Sequence, residues 1–459
     1  MSRQASADTA ATPRRTPLEE WVAAAIGCAG GRVHRAALAD WQLARLRETV
    51  ARARQHSPFY ARHLAAHDAG DLASLADLAT LPFTTADHLR VEGPRMLCVR
   101  PDEIERIVTL PTSGTTGQPK RVFFTAEDLE LTVDFFHHGM STFTNADDRV
   151  LVLMPGERPG SVGELLSRAL PRLGAAVEVH GPVRDVGAAL DALARLRATV
   201  VVGIPAQVLT LARRSTEYGE ASWRPRVVLL SADRAPRAVR QAIEDAWSCR
   251  VFDHYGSTEM GFGGGVECEA RDGYHLREAD LLFEVISLTT GLPARPGETG
   301  EVVFTTLTRT GMPLIRYRTG DLSATASAAC SCGARLPLLA HVKGRITDGV
   351  RLSHGLTLTL GDLDDALLGI GGIADFRATV DRASDGERLR VELRLTGSQR
   401  GVVDQARRAL LRVPALRGGD AAGELRIEVD IGDEAQWPCS TGMTKRTLCD
   451  ERGTERAHA

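Results

Sequence analysis

Short apolar runs alternate with amphipathic helical segments from about Ile107 onward, and this alternation limits the possible folds more than any other feature of the sequence. Segments such as DVGAALDALARLR and APRAVRQAIEDAW carry apolar residues at intervals of three and four positions, which is typical of helices. The runs between them are short and β-branched, which is typical of strands. Strands that alternate with helices predict a mainly parallel sheet with crossover helices. The predicted strands are RVLVLM, ATVVVGIP, RVVLLSA and CRVFDHYG.

The remainder of the chain predicts an antiparallel sheet and then a second domain. LLFEVISL, GEVVFTTLT and PLIRYRTGDL are separated by Gly and Pro turns, which indicates antiparallel strands. After VKGRITDG, helical and strand patterns begin again and are typical of a compact α+β unit. We therefore predict an α/β protein with a disordered leader at residues 1–15, a large N-terminal domain of mixed sheets and crossover helices at residues 16–343, and a small α+β C-terminal domain at residues 344–459.

Composition and charge favour a protein that acts on small molecules. The chain has 459 residues, with 56 basic and 59 acidic side chains, so no excess of positive charge predicts binding to nucleic acid or to an anionic membrane. No apolar run approaches the roughly 20 residues of a membrane-spanning helix, and the N-terminus lacks the apolar core of a signal peptide. We therefore expect a cytoplasmic protein that has no membrane or nucleic-acid partner.

The segment LPTSGTTGQPK, which begins at Leu110, is a candidate phosphate site. Glycines allow a backbone to direct its N–H groups at an anion, and Ser or Thr hydroxyls add hydrogen-bond donors or a ligand for Mg²⁺. The segment contains six such residues and ends in a lysine. The candidate phosphate ligands among them are Ser113, Gly114, Thr115, Thr116, Gly117 and Lys120. The Walker pattern does not occur in the sequence. Residue types alone leave two interpretations, a phosphate-binding loop and a flexible surface loop.

The order of four motifs resembles that of a known enzyme superfamily. TSGTTGQPK is followed by HYGSTE at His254–Glu259, YRTGD at Tyr317–Asp321 and GR at Gly344–Arg345. This order is similar to that of the adenylate-forming superfamily, which includes acyl-CoA synthetases, peptide-synthetase adenylation domains and luciferases. Within it, the segments QLARLRETVARARQHSPFYARHL, LPFTTADHLR, VECEARDGYHLREAD and TTLTRTGMPLIRYRTGDL resemble the phenylacetate-CoA ligase branch. The resemblance covers nearly the whole chain after the leader.

This resemblance implies a two-step reaction that consumes ATP. A carboxylate attacks the α-phosphate to give an acyl adenylate and pyrophosphate, and the thiol of coenzyme A then displaces AMP. By analogy, the acid is an aryl or arylacetic acid. Since negative charge accumulates around the transferring group, Thr115, Thr116 and Lys120 are expected to neutralise it, and Glu259 is expected to hold Mg²⁺. Thr116, Lys120 and Glu259 are therefore candidate catalytic residues.

The remaining nucleotide contacts also follow from the resemblance. Asp321 is expected to accept hydrogen bonds from the two ribose hydroxyls, and Arg345 is expected to lie near the ribose or the α-phosphate. Tyr255 is expected to stack on the adenine. The loop that faces the adenine usually contains Gly-Glu or Ala-Glu in the family, whereas this chain has Ala-Asp. The other expected nucleotide-binding residues are Ser231, Ala232, Asp233, Gly256, Ser257 and Thr258.

Three cysteines and a histidine form a second group of candidate ligands. A structural zinc ion prefers four nitrogen and sulfur ligands in a tetrahedral arrangement. The chain contains a Cys-x-Cys pair and, earlier in the sequence, a further Cys and His. Similar patterns in the phenylacetate-CoA ligase branch bind a structural zinc, while buried free thiols are the alternative. The four expected zinc ligands are Cys268, His275, Cys330 and Cys332.

Two segments depart from the superfamily pattern. STGMTKRTLCDER resembles the terminal Gly-Lys motif, whose lysine reaches the substrate carboxylate during adenylation, but Met443 occupies the usual lysine position. Lys445 follows two residues later and would share a face with that position in an extended segment, so we predict that Lys445 is the catalytic lysine. The resemblance also implies that the C-terminal domain is mobile, and Thr347 occupies a position where its interdomain hinge usually has Asp.

The sequence leaves two alternative functions open, and the departures at Met443 and Thr347 favour the second. One is an adenylating enzyme that passes the acyl group to a carrier-protein thiol or to an amine instead of coenzyme A. The other is a nucleotide-binding accessory protein that has lost turnover. The family resemblance also leaves a homodimer open.

Overall fold

The computed structural model describes residues 12–110, 119–215, 223–383, 386–395, 401–422, 425–432 and 448–452. The chain begins with helices. Pro58 lies in the first turn of the third helix, and the Ser57 Oγ accepts a hydrogen bond from the Tyr60 N–H, so a new helix starts here. The helices before the first strand are α1 (Pro17–Ala25), α2 (Arg35–His56), α3 (Pro58–His63) and α4 (Ala86–Glu92).

An antiparallel strand pair flanks the glycine-rich segment. β1 (Arg106–Leu110) and β2 (Lys120–Phe124) pair in a register that sets Leu110 opposite Lys120. The two described ends of the segment are therefore neighbours. Directly after β2, Thr125 caps α5 (Ala126–Met140), since its Oγ1 accepts from the Asp128 N–H at 3.1 Å.

The largest sheet has eight strands, and its parallel half follows the alternation predicted from the sequence. The strands are β3 (Arg149–Val152), β4 (Ala176–Val179), β5 (Val200–Gly203), β6 (Val227–Leu230), β7 (Arg250–Tyr255), β8 (Gly265–Glu267), β9 (Tyr274–Leu276) and β13 (Leu338–Leu339). In space the order is β13-β9-β8-β7-β6-β5-β3-β4. β4, β3, β5, β6 and β7 are parallel, and β8, β9 and β13 continue the sheet with antiparallel pairings. The connecting helices are α6 (Val162–Ala169), α7 (Val186–Leu196), α8 (Pro205–Ser215) and α9 (Arg237–Trp247).

A four-stranded antiparallel sheet follows in the chain. It contains β10 (Leu281–Ser287), β11 (Gly300–Thr306), β12 (Tyr317–Ser323) and β14 (Gly344–Arg345), in that spatial order. The pairing of β12 with β14 sets Asp321 directly opposite Arg345. Two residues predicted to contact the nucleotide are thus cross-strand neighbours.

The last part of the chain forms a hairpin and a second four-stranded sheet. Its elements are β15 (Gly349–Arg351), β16 (Thr357–Thr359), α10 (Leu360–Leu367), β17 (Ile373–Ala383), β18 (Gly386–Leu395), α11 (Val402–Leu410), α12 (Pro414–Ala422), β19 (Leu425–Ile431) and β20 (Leu448–Asp450). The sheet order is β19-β18-β17-β20, with β17 and β18 antiparallel. The predicted α/β fold, with a large N-terminal part and a smaller α+β part, is confirmed.

The buried apolar side chains form two large cores. One lies between the N-terminal helices, α5 and one face of the eight-stranded sheet. The other joins the opposite face of that sheet to the C-terminal part, and it contains Trp247 of α9 together with Leu363 of α10 and Phe376 of β17. Polar contacts support this junction, because Arg213 Nη2 donates to the Leu368 carbonyl at 2.7 Å. No described helix is both long enough and apolar enough to span a bilayer.

Candidate active site

Lys120 and Glu259 form the centre of the candidate active site. Lys120 is the first residue of β2, and Glu259 lies in the turn after β7. The Lys120 Nζ lies 2.6 Å from Glu259 Oε1, and the Tyr317 hydroxyl donates to the same oxygen at 3.1 Å. Three segments that are distant in sequence therefore meet at one carboxylate, which is only 5% exposed.

The charge of Glu259 is stabilised by these partners. Burial alone raises the pKa of the Glu259 carboxyl. The charge of the Lys120 ammonium and the hydrogen bonds from Lys120, from the backbone and from Tyr317 lower the pKa by more, so it lies below its usual value. The group is thus an anion at neutral pH. A buried carboxylate beside a lysine suits the binding of a divalent cation and a phosphate chain.

Asp321 lies at the centre of a second polar cluster. The Arg345 Nε donates to Asp321 Oδ1 at 2.9 Å, and the Tyr255 hydroxyl donates to Oδ2 at 3.0 Å. Burial raises the pKa of Tyr255, and the Asp321 charge raises it further, so this phenol remains a donor. Since each carboxylate oxygen has two lone pairs, both oxygens keep a site for a diol hydroxyl. Tyr255 is buried, and its hydroxyl contacts Asp321, the residue that is predicted to bind the ribose.

The loop after β6 contacts the end of β7, just before the turn that contains Glu259. The Ser231 Oγ lies 2.9 Å from His254 Nδ1, and Ala232 has a left-handed backbone conformation with φ of 72°. In the turn, a Cβ added to Gly256 would lie 2.7 Å from the Phe262 carbonyl oxygen, so only glycine fits there. Ser257, Thr258 and Asp233 lie on the same two segments.

Arg234, directly after this loop, connects it to the C-terminal part of the chain. Its guanidinium donates to the Gly361 carbonyl at 3.2 Å and to Asp365 Oδ2 at 2.8 Å, both on α10. The loop that was predicted to face the adenine is therefore hydrogen-bonded to the smaller domain through one side chain.

Several predicted site residues lie outside the described residues. These are Ser113, Gly114, Thr115, Thr116, Gly117, Met443 and Lys445. Their assignments remain predictions from the sequence.

The four predicted zinc ligands converge at one point. Cys268 follows β8, His275 lies on β9, and Cys330 and Cys332 lie between β12 and β13. Their ligand atoms all lie within 4.8 Å of one another, and all four residues are buried. Cys268 Sγ is 3.5 Å from Cys330 Sγ, and Cys332 Sγ is 3.4 Å from His275 Nε2. Ligands of a tetrahedral zinc lie about 3.4 to 3.8 Å apart, so this donor set fits the ion.

Three residues at these sites were not singled out from the sequence: Tyr317, His254 and Arg309. Tyr317 is the first residue of the YRTGD motif, and its place in that motif was a signal that could have been used. His254 likewise opens the HYGSTE motif. Arg309 acts through contacts with segments far away in the sequence, and its own position does not indicate them. Arg309, for example, donates to the Glu259 carbonyl at 2.8 Å from a position 50 residues later.

Comparisons with known proteins agree with this geometry. The model of the AMP-binding enzyme family matches residues 18–308. A phenylacetate-coenzyme A ligase of Thermus thermophilus is 30% identical over 361 residues, which cover 76% of this chain and 80% of the relative. The phenylacetate-coenzyme A ligase of Escherichia coli is 27% identical over 367 residues, which cover 78% of this chain and 82% of that relative. A crystal structure of 2-hydroxyisobutyryl-CoA ligase with 2-HIB-AMP matches with a TM-score of 0.73 at 23% identity. The match covers 87% of this chain and 86% of that ligase, and it shows that the two proteins share a fold.

The chain therefore belongs to the AMP-binding enzyme family. Within that family it falls in the phenylacetate-CoA ligase-like branch, and it is an AMP-forming acid-CoA ligase. The resemblance predicted from the four motifs is confirmed.

Proposed function

We propose that this enzyme activates an aryl or arylacetic acid with ATP and transfers the acyl group to coenzyme A. The first step forms the acyl adenylate and releases pyrophosphate, and the second step forms the thioester and releases AMP. Membership of the phenylacetate-CoA ligase-like branch supports an arylacetic acid as the substrate. The relatives support the choice of substrate by analogy, and the charged side chains of the site support the reaction with ATP.

The observation that carries the proposal is the convergence of Lys120, Glu259 and Tyr317 at one buried carboxylate. Adenylation places negative charge on the α-phosphate and on the departing pyrophosphate, so a site for it needs fixed positive charge and a metal ligand. Lys120 supplies an ammonium at the end of the glycine-rich segment. Glu259 would hold Mg²⁺, which neutralises phosphate charge when it is bound.

The Asp321 cluster supports binding of the nucleoside. Its carboxylate is fixed from two sides by Arg345 and Tyr255, and fixed acceptors bind a vicinal diol without loss of side-chain entropy. We assign the ribose to Asp321 and the α-phosphate or ribose to Arg345. The adenine is assigned to the loop of Ser231, Ala232 and Asp233 and to the Tyr255–Thr258 turn.

We further propose that Cys268, His275, Cys330 and Cys332 hold a structural zinc ion. All four ligand positions are filled by protein, so the ion has no open position for a substrate. It would join β8 and β9 of the large sheet to the loop between β12 and β13. The role of this metal is to stabilise the fold.

A coupled assay tests the proposed activity. Purified enzyme is supplied with ATP, Mg²⁺ and a panel of benzoic, phenylacetic and short aliphatic acids, and pyrophosphate, AMP and thioester are measured separately. We expect acid-dependent pyrophosphate release that is greatest with an aromatic acid, and AMP release that matches acyl-CoA when coenzyme A is added. Absence of acid-dependent exchange between pyrophosphate and ATP with every acid would contradict the proposal.

The acceptor is tested in the same assay. Coenzyme A, a phosphopantetheinylated carrier protein and a simple amine are added in turn to preformed adenylate. Stoichiometric AMP release with coenzyme A alone supports the proposed thioester product. Release only with the carrier protein or the amine would replace coenzyme A with that acceptor.

A further inference from the structure

A buried arginine connects the two segments that carry Lys120 and Glu259. Arg309 lies in the loop between β11 and β12 and is 7% exposed. Its Nη1 donates to the Glu259 carbonyl at 2.8 Å, and its Nη2 donates to the Phe123 carbonyl at 2.9 Å. We propose that Arg309 is a positioning residue, which fixes the spacing between the strand that carries Lys120 and the backbone of the Mg²⁺-binding carboxylate. This inference rests on the proposed function.

The planar guanidinium makes this connection rigid. Nη1 and Nη2 belong to one delocalised group, so the two carbonyl oxygens that they bind are held at a fixed separation. The group also lies over the Phe124 ring, 4.4 Å from its centroid. Phe124 in turn stacks on Phe262, with ring centroids 5.4 Å apart and planes 19° from parallel. The guanidinium is therefore confined by β2 and by the turn that contains Glu259.

The partners of Arg309 indicate a role in positioning rather than in a simple ion pair. Both hydrogen bonds go to neutral carbonyls, and no described carboxylate lies within ion-pair distance of the guanidinium. Burial lowers the pKa of Arg309, but an arginine still keeps its charge at neutral pH. Asp128, which accepts from the Thr310 N–H at 3.1 Å, is a nearby anion that offsets part of the cost of burying this charge.

The consequence for the reaction is a fixed placement of β2 relative to the turn that contains Glu259. Lys120 is three residues before Phe123 on the same short strand, so a shift of β2 against the Glu259 turn would change the distance between the two charged groups. A metal ion held by Glu259 and phosphate oxygens held by Lys120 would replace this direct contact, and the two side chains would then have to be placed correctly within a fraction of an ångström. Loss of Arg309 should therefore weaken binding of the Mg²⁺–ATP complex more than binding of AMP.

The test compares Arg309→Met and Arg309→Lys with Arg316→Lys. Arg316 is a matched control, because it is a buried arginine of the same loop whose hydrogen bonds go elsewhere, to Glu284 and to the Ala79 and Leu81 carbonyls. ATP affinity is measured by calorimetry over a range of Mg²⁺ concentrations without any acid, and AMP affinity is measured without Mg²⁺. Thermal unfolding reports on stability.

We expect Arg309→Met to weaken Mg²⁺–ATP binding by at least about tenfold and to raise the Mg²⁺ concentration for half-maximal binding, with AMP affinity within about twofold of wild type. Arg309→Lys should recover part of the loss, and it replaces the Met variant if that variant does not fold. Arg316→Lys should lower the melting temperature without altering the Mg²⁺ dependence. Wild-type Mg²⁺ dependence in a folded Arg309 variant would overturn the inference.

A failure of this inference can be distinguished from a failure of the proposed function. A wild type that binds Mg²⁺–ATP but shows no acid-dependent exchange would refute the ligase activity while the role of Arg309 is decided by the binding data. A wild type that does not bind Mg²⁺–ATP would overturn both.

Discussion

The Lys120 ammonium lies 2.6 Å from Glu259 Oε1, although 139 positions separate the two residues in the chain. The contact joins the end of the glycine-rich segment to the turn after β7. The hydrogen bond from Tyr317 brings in β12 as well. Two sequence motifs and the first residue of a third therefore meet at one carboxylate.

Glu259→Gln should keep the fold and slow adenylation by at least about 100-fold, because the amide is neutral and binds Mg²⁺ weakly. The measurement is acid-dependent exchange of labelled pyrophosphate into ATP. Glu298→Gln, at an exposed carboxylate, is the control and should behave as wild type. An exchange rate near that of wild type in the Glu259 variant would remove the assignment of this residue.

Asp321→Asn should weaken nucleotide binding by removing the charged acceptor for the ribose hydroxyls. The wild type should bind AMP about tenfold or more tightly than 2′,3′-dideoxy-AMP, and the variant should lose most of that preference. Calorimetry measures both ligands with both proteins. Tyr255→Phe, which removes only the hydroxyl that donates to Asp321, should reduce the preference less. Equal preference in wild type and Asp321→Asn would exclude the ribose assignment.

The double variant Cys330→Ser and Cys332→Ser should lose a bound metal and unfold several degrees below wild type, because the free energy of zinc binding contributes to folding. Metal analysis should find about one zinc per wild-type chain and little in the variant. Cys449→Ser, at an exposed cysteine, should keep the metal. Wild-type protein prepared without chelators that contains no zinc would contradict the site.

Asp253 should make stability depend on pH. Burial raises the pKa of Asp253 from 3.8 to about 7, with a further contribution from Glu267. Between these values the unfolded chain releases a proton that the folded chain retains, so this contribution to stability falls as pH rises and levels off above about 7. Asn cannot ionise, and its amide can donate to the Tyr274 hydroxyl that now donates to Asp253.

The free energy of unfolding of Asp253→Asn, relative to wild type, should therefore increase from about pH 5 to about pH 8. Urea denaturation of both proteins at several pH values measures this difference, and the exposed Asp147→Asn serves as the control. A difference that does not change with pH would show that Asp253 is ionised in the folded protein throughout this range.

Lys445→Ala should abolish acid-dependent pyrophosphate exchange if Lys445 replaces the lysine that is absent at Met443. Thioester formation from a synthetic acyl adenylate should continue, because that step does not require a cation at the substrate carboxylate. Arg446→Ala provides a neighbouring control of the same charge. Equal loss in both half-reactions would indicate a different role for the residue.

The fold could be predicted to a large extent from the sequence because its main signals are local. β3, β5, β6 and β7 are apolar runs between amphipathic helices, and their parallel pairing follows from that alternation. β8 and β9 are only three residues long and have no periodicity that could be recognised. Their place beside β7 is set by contacts between distant segments.

The site was predictable only in part. The motifs located Lys120, Glu259, Asp321 and Arg345 one by one, but their contacts with each other depend on the register of β12 with β14 and on the path of β2. Arg309 illustrates what is missing. It lies in the segment TTLTRTGMPLIRYRTGDL, whose resemblance to the branch does not indicate its partners, the carbonyl groups of two other segments.

The apolar core that joins α8 and α9 to α10 and β17 has a consequence for how the molecule melts. Elements that bury one continuous apolar core lose it together, so heat or urea should disrupt the large sheet and the C-terminal sheet in a single cooperative transition. The same continuity means that the segment after residue 343, made alone, would lose the apolar packing that α8 and α9 provide for α10 and β17. In isolation this smaller unit should therefore aggregate rather than remain a folded monomer.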